Sequence, residues 1–190
     1  SKLLTSIIVA TSLKKENDLL CKELLRLGYP FYRGSENDVL KRYYYAALKE
    51  KADVIVRITG DCPLIDAQLV DSTINLFLKK NVDYVSNSNP PTFPDGLDVE
   101  VFSKYGLFLA HKEATQPYQR EHVTPFLRSA KFKTLNLKSE HDYSNFRLTL
   151  DELDDLKLIQ AVFKNFSSDI YFGYEKVIDY LRVNPQIKNI

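Results

Sequence analysis

Short runs rich in β-branched residues alternate with stretches of helical spacing along the first half of the chain. Ile7-Ile8-Val9-Ala10 reads as a buried strand, Pro30-Phe31-Tyr32 as a short one, Asp53 to Ile58 as the clearest in the sequence, and Tyr84-Val85-Ser86 as another. Between them, Glu16 to Leu27 repeats leucine at Leu20, Leu24 and Leu27, with Gly28 as a C-terminal stop. Ser35 to Lys49 sets Val39, Leu40, Tyr43 and Ala47 on one face. Asp66 caps a helix with Leu69, Val70, Ile74, Phe77 and Leu78 inward. Such alternation predicts an α/β three-layer sandwich with a mostly parallel sheet. Ligands on such sheets sit beyond the carboxyl ends of the strands, so the loops after Ala10, Tyr32, Ile58 and Ser86 are the places to search.

The pattern changes after Asn87. Asn89 to Gly96 is rich in turn residues. Leu97 to Phe102 alternates like a strand, Ser103 to Ala114 reads as a helix and Arg120 to Arg128 as a short one. Phe132 to Leu137 and Phe146 to Leu150 read as two more strands. Asp151 opens an amphipathic helix with Leu153, Leu156, Ile159, Val162 and Phe163 inward, and a last helix lies near Tyr174 to Arg182. No inter-domain linker interrupts the 190 residues. A single domain is expected, with residues 1–88 binding nucleotide, 89–145 binding sugar and dimerising, and 146–190 closing the sheet with C-terminal helices.

Composition narrows the function classes. Lys+Arg number 26 and Asp+Glu 25, so no positive field drives binding to nucleic acid or a membrane surface. The apolar runs are too short to span a bilayer, and no charged-then-apolar leader precedes them. Cys21 and Cys62 make neither a disulfide framework nor a zinc site, which suits a reducing cytoplasm.

The most informative stretch is Val56-Arg57-Ile58-Thr59-Gly60-Asp61-Cys62-Pro63-Leu64. A buried strand ends in a glycine that permits a tight path, and Asp61 then projects at the carboxyl edge. A hard cation such as Mg²⁺ takes one or two carboxylates plus phosphate and water oxygens; the bland alternative is an aspartate bonding its own turn. Asp151, at the next such corner, is typed equally well for a helix N-cap. An arginine in a strand as apolar as that of Arg57 needs a partner, which a nucleotide, Asp61 or a structural ion pair would supply. Asp98 and Glu100, two apart on a strand, point the same way and could hold sugar hydroxyls, an ammonium-like group or a second metal. A solvated face or a salt bridge to Arg120 is their plainer use.

The run Phe31 to Tyr44 (FYRGSENDVLKRYY), Ala52 to Asp66 (ADVIVRITGDCPLID), Pro94 to Phe102 (PDGLDVEVF) and Arg120 to Pro125 (REHVTP) together resemble the cytidylyltransferase family. The resemblance is to its spore-coat polysaccharide biosynthesis branch and covers roughly Ile7 to Phe166. It implies a glycosyltransferase-A-like nucleotide-binding fold. The implied reaction is Mg²⁺-dependent transfer of a nucleotidyl group from a nucleoside triphosphate, CTP by family, to a sugar or sugar acid, with release of pyrophosphate for surface polysaccharide or glycan synthesis. By the same resemblance Asp61 and Asp151 hold the catalytic metal. Nucleotide recognition falls on Thr11, Ser12, Arg33, Ser35 and Asp38 after the first two strands and on Arg57 and Thr59, which share a face of the third, although Ser35 and Asp38 are equally typed for a helix start. Sugar recognition falls on Asp95, Asp98, Glu100, Arg120, Glu121 and His122. Cys62 is a semi-buried thiol with no base beside it in sequence, not a nucleophile.

Relatives also imply a homodimer. The family opens with a strand and a glycine- and arginine-rich loop that wraps the triphosphate, as a phosphate site requires. None of the six glycines lies in such a basic cluster, so that segment is expected upstream of Ser1. Two other readings stay open at this point. One is a non-catalytic sugar-nucleotide-binding module. The other is a glycosyltransferase of the same fold using Asp98-Val99-Glu100 as its metal motif.

Overall fold

The computed structural model describes residues 1–169 and 171–188; Ile170, Asn189 and Ile190, at the end of the expected C-terminal part, lie outside the described residues. Among the described residues, six strands form two sheets. β1 (Val9–Ser12) and β2 (Phe31–Gly34) pair in parallel, Val9 with Phe31 through Ser12 with Gly34. β3 (Val54–Arg57), β4 (Tyr84–Ser86), β5 (Glu100–Ser103) and β6 (Thr134–Asn136) form the second sheet in the order β3-β5-β4-β6. β3, β4 and β6 run one way, and β5 threads between β3 and β4 in the opposite direction. The expected α/β architecture is therefore present, with β5 as the antiparallel member. β5 differs because no crossover helix separates it from β4. The turn-rich stretch around Asn89–Gly96 doubles the chain back instead. The expected strand at Phe146 to Leu150 is an extended segment with a single bridge, Arg147 to Asp95.

Alternation in the strands sorts side chains onto two faces. Val56, Val101 and Val85 lie side by side and join a core with α3 (Ala67–Lys80), α6 (Leu153–Asn165) and α7 (Tyr174–Val183). Ile55, Phe102 and Tyr84, one position along, join the opposite core with α2 (Val39–Lys49), α4 (Lys104–Glu113) and the 3₁₀ turn Pro125–Arg128. Two helical layers thus sandwich the sheet. Several helix boundaries follow from local chemistry. Asp66 accepts from the Gln68 and Leu69 N–H groups at the start of α3, Ser103 caps α4, and left-handed Gly28 ends α1 (Asp18–Leu27). The expected helix over Arg120 to Arg128 is broken instead: α5 (Pro117–His122) stops at Val123, where the chain turns before the 3₁₀ segment. Among the described residues no helix is long and apolar enough to cross a membrane.

One register row matters for function. Beyond the Ile55, Phe102 and Tyr84 row, on the same face, the next aligned set is Arg57, Glu100, Ser86 and Asn136. This polar row closes the sheet at the carboxyl ends of β3 and β4, the end at which such folds bind ligands.

Candidate active site

The two aspartates singled out in the sequence come from corners 90 residues apart in the chain, and one backbone hydrogen bond joins those corners. The Leu150 N–H donates to the Asp61 carbonyl at 2.8 Å, so Asp151 is the next residue along from a strut anchored on Asp61. Asp151 is not the N-cap of α6. Glu152 holds that position in a capping box with Asp155, whose Oδ2 accepts from the Asp151 and Glu152 N–H groups at 2.9 and 3.0 Å. The Asp151 carboxylate is thereby free of capping, and Arg147 Nη2 donates to its Oδ2 at 2.7 Å. Gly60 has no left-handed backbone and would meet nothing if given a Cβ, so the turn before Asp61 does not depend on glycine.

Arg147 is a residue the sequence did not single out. Its guanidinium bonds Asp155 at 2.9 Å as well as Asp151, and lies 4.0 Å from Asp95. Its hydrogen bonds to Asp155 hold that carboxyl far below the ordinary aspartate range. Asp95 is tied to the same segment by backbone. Its N–H donates to Phe146 O at 2.9 Å and its carbonyl accepts from Leu148 N–H at 2.7 Å. This pairing needs Gly96, whose φ is +95° and where a Cβ would lie 2.5 Å from the Leu148 carbonyl carbon. Asp98 is half-buried and forms no hydrogen bond or ion pair among the described residues. Burial, reinforced by the charges of Asp95 and Glu100, pushes its carboxyl up to about 6.

Glu100 does not face open solvent. It is 2% exposed, and its carboxylate is held by four side chains. Arg57 Nη1 donates to Oε2; Tyr84 OH, Thr124 Oγ1 and Arg128 Nη2 donate to Oε1 at 2.5, 2.6 and 2.8 Å. Where sugar or metal was expected, Glu100 is instead buried and engaged by protein donors on both oxygens. The Asp98-Val99-Glu100 metal motif is not formed. Of the alternatives for Arg57, the structural ion pair is the one present.

The remaining candidates divide by what they touch. Thr11 and Ser12 are not in a loop after β1 but end the strand, buried, and grip Asn17: Thr11 Oγ1 donates to its Oδ1 at 3.0 Å, and its Nδ2 donates to Ser12 Oγ at 2.8 Å. Arg33 reaches back to the Ser12 and Lys14 carbonyls and to Asp18. Ser35 Oγ accepts from the Asp38 N–H, and Asp38 caps α2 through Lys41 N–H, so the helix starts at Val39. Arg120 is committed to Asp38, at 2.6 and 3.1 Å, and to the His111 and Ala114 carbonyls. That makes Arg120 a strut between α2 and α4 where a sugar ligand was expected. Thr59 Oγ1 lies 3.2 Å from Cys62 Sγ. Burial pushes that thiol up to about 11, which suits an inert packing role. Glu121 and His122 are exposed. Tyr84, Thr124 and Arg128 escaped the sequence reading because a tyrosine in a strand and a threonine beside proline carry no signal of a shared partner.

The Asp61 and Asp151 carboxylates offer oxygen, the donor a hard divalent cation takes, and the Cys62 thiol donates to Asp61 Oδ1 at 3.6 Å. Thr149 Oγ1, one residue before Leu150, is buried without a partner, a polar atom that a ligand at this corner would satisfy. Among the described residues no group of three or more His, Cys, Asp or Glu gathers for a metal, so phosphate or water oxygens would complete the shell.

A family model described as cytidylyltransferase matches residues 1–183. An uncharacterized protein of Methanocaldococcus jannaschii is 43% identical over all of this chain and 78% of its own length. The spore coat polysaccharide biosynthesis protein SpsF of Bacillus subtilis is 29% identical over 95% of this chain and 76% of its own. The solved structure of a cytidylyltransferase from Leptospira borgpetersenii serovar Hardjo-bovis superposes with a TM-score of 0.90 at 33% identity, over 95% of this chain and 77% of that one. CMP:2-keto-3-deoxy-manno-octonic acid synthetase, solved in complex with CTP, shares the fold with a TM-score of 0.56 at 12% identity, over 88% of this chain and 83% of that one.

Proposed function

This chain belongs to the cytidylyltransferase family, and from that premise we propose that it transfers the cytidylyl group of CTP to a hydroxyl of a sugar or sugar acid. In that reaction an oxygen–phosphorus bond forms at the α-phosphorus and the bond to the β-phosphate bridging oxygen breaks. Pyrophosphate leaves with the electron pair, and the hydroxyl gives up its proton to water. The product serves surface polysaccharide or glycan synthesis, in a cytoplasmic homodimer. The observation that supports this reading is the Leu150 to Asp61 backbone bond, which ties the turn at Asp61 to the segment that leads into Asp151.

Asp61 and Asp151 would hold Mg²⁺. When bound, the ion neutralises charge that builds on phosphate oxygens. Arg147 holds the carboxylates of Asp151 and Asp155 in place, its Nη2 donating to both. The Asp95 to Leu148 pairing fixes the loop that carries Asp98 against the same segment, which limits the orientations open to a bound acceptor.

The test is pyrophosphate release by the full-length protein with Mg²⁺, each of the four nucleoside triphosphates, and a panel of neutral sugars, amino sugars and sugar acids. CTP-selective release that depends on one acceptor is expected. CTP binding without release for every acceptor would favour a non-catalytic sugar-nucleotide-binding module.

A further inference from the structure

Glu100 is surrounded by more positive charge than it can neutralise. Arg57 and Arg128 both bind its carboxylate, and Tyr84 and Thr124 complete its hydrogen bonds. A second carboxylate, Asp98, lies two residues away and feels the charges of both arginines. Yet Asp98 pairs with neither, although a direct ion pair there would be the simplest way to balance the charge. The arginines are held back by further contacts. Arg128 Nε donates to Tyr84 Oη at 3.2 Å, and the Arg128 and Arg57 guanidiniums lie over the Tyr84 and Tyr43 rings at 5.9 and 5.8 Å.

The backbone is strained to complete this arrangement. Val123 is fully buried with φ +70° and ψ −57°, a γ-turn closed by the Thr124 N–H on the His122 carbonyl at 2.8 Å. A β-branched residue is costly in that conformation, and the turn presents Thr124 Oγ1 to Glu100.

We propose that Glu100 is a positioning residue for the acceptor side of the site: by holding Arg57 and Arg128 it keeps both guanidiniums off Asp98, whose carboxylate is thereby reserved to accept hydrogen bonds from acceptor hydroxyls. The inference rests on the transfer to a sugar proposed above. Asp98 is the group that touches the acceptor, and Glu100 acts through it.

The test is Glu100→Gln in the full-length protein, read in two ways. A crystal structure without ligand should show an Arg57 or Arg128 guanidinium within hydrogen-bond distance of Asp98. With the first sugar of the panel that releases pyrophosphate, the acceptor KM should rise about tenfold while the CTP KM stays unchanged, and Asp98→Asn should lose the same factor. Adding Glu100→Gln to Asp98→Asn should cost nothing more. If Glu100→Gln does not fold, Glu100→Asp, which retracts the carboxylate by one methylene, should move both readouts in the same direction. Guanidiniums that stay clear of Asp98, with both KM values raised alike, would overturn the proposal. A wild-type protein inactive with every acceptor would overturn the transferase reading instead, while the crystallographic readout would still decide the role of Glu100.

Discussion

Replacing Gly96 by alanine should damage the candidate site more than its small size suggests. At φ +95° an L residue is strained by about 1–3 kcal/mol. The new Cβ would lie 2.5 Å from Leu148 C, 2.6 Å from Thr149 N and 2.7 Å from Leu148 O, all of them backbone atoms. Relief to ordinary contact distance requires the 148–149 backbone to withdraw by about 1 Å, which no rotamer change can supply. The Asp95 bonds to Phe146 and Leu148, now 2.9 and 2.7 Å, are lost in that movement, at about 0.5–1.5 kcal/mol each. Together these terms predict a loss of about 2–6 kcal/mol in urea-melt stability. The same movement drags Leu150 away from the Asp61 carbonyl, so turnover should fall by about a hundredfold even where the protein remains folded. Urea denaturation and initial rates of pyrophosphate release check the two parts separately. A variant within 0.5 kcal/mol of wild type and with unchanged turnover would refute the claim that Gly96 sets this spacing.

Three further outcomes are expected. A double-mutant cycle on Asp38→Asn and Arg120→Gln should give about 1–2 kcal/mol of coupling in thermal or urea melts. Burial alone would raise the Asp38 carboxyl, but Arg120 and the Lys41 N–H hold it below the ordinary aspartate range. The stability it contributes is therefore present above about pH 4 and lost as pH falls through the folded value, a loss that Asp38→Asn removes. Cys62, 5% exposed and with its thiol near 11, should resist iodoacetamide at pH 8 in the native protein and react in urea; rapid native labelling would contradict its inert role. Asp98 carries its charge only above about pH 6, so kcat/KM for the acceptor should decline as pH drops through that value, and Asp98→Asn should lower activity and flatten the decline.

Much of the fold was legible because it is encoded locally. The β-branched run at Val54 to Arg57, the Asp66 cap and the Gly28 stop each depend on neighbours within a few residues, and each lies where the pattern put it. The polar interior was not legible, because its partners are far apart in sequence. Glu100 meets Arg57 across 43 residues, and Arg120 meets Asp38 across 82. Nothing in the string distinguishes a carboxylate that faces solvent from one that balances two buried arginines; only the antiparallel register of β5 against β3 decides it. Asp151 illustrates the reverse case. Typed as an N-cap, it gives that task to Glu152 and Asp155, and its carboxylate pairs with Arg147 instead.

The most direct test of the central claim is turnover by Asp61→Asn and Asp151→Asn in the full-length protein, each isosteric and each removing one carboxylate charge. Circular dichroism should match wild type, and pyrophosphate release should fall by about a thousandfold in each, with no further fall in the double variant. Release at the wild-type rate by either single variant would contradict the assignment of this corner as the catalytic centre.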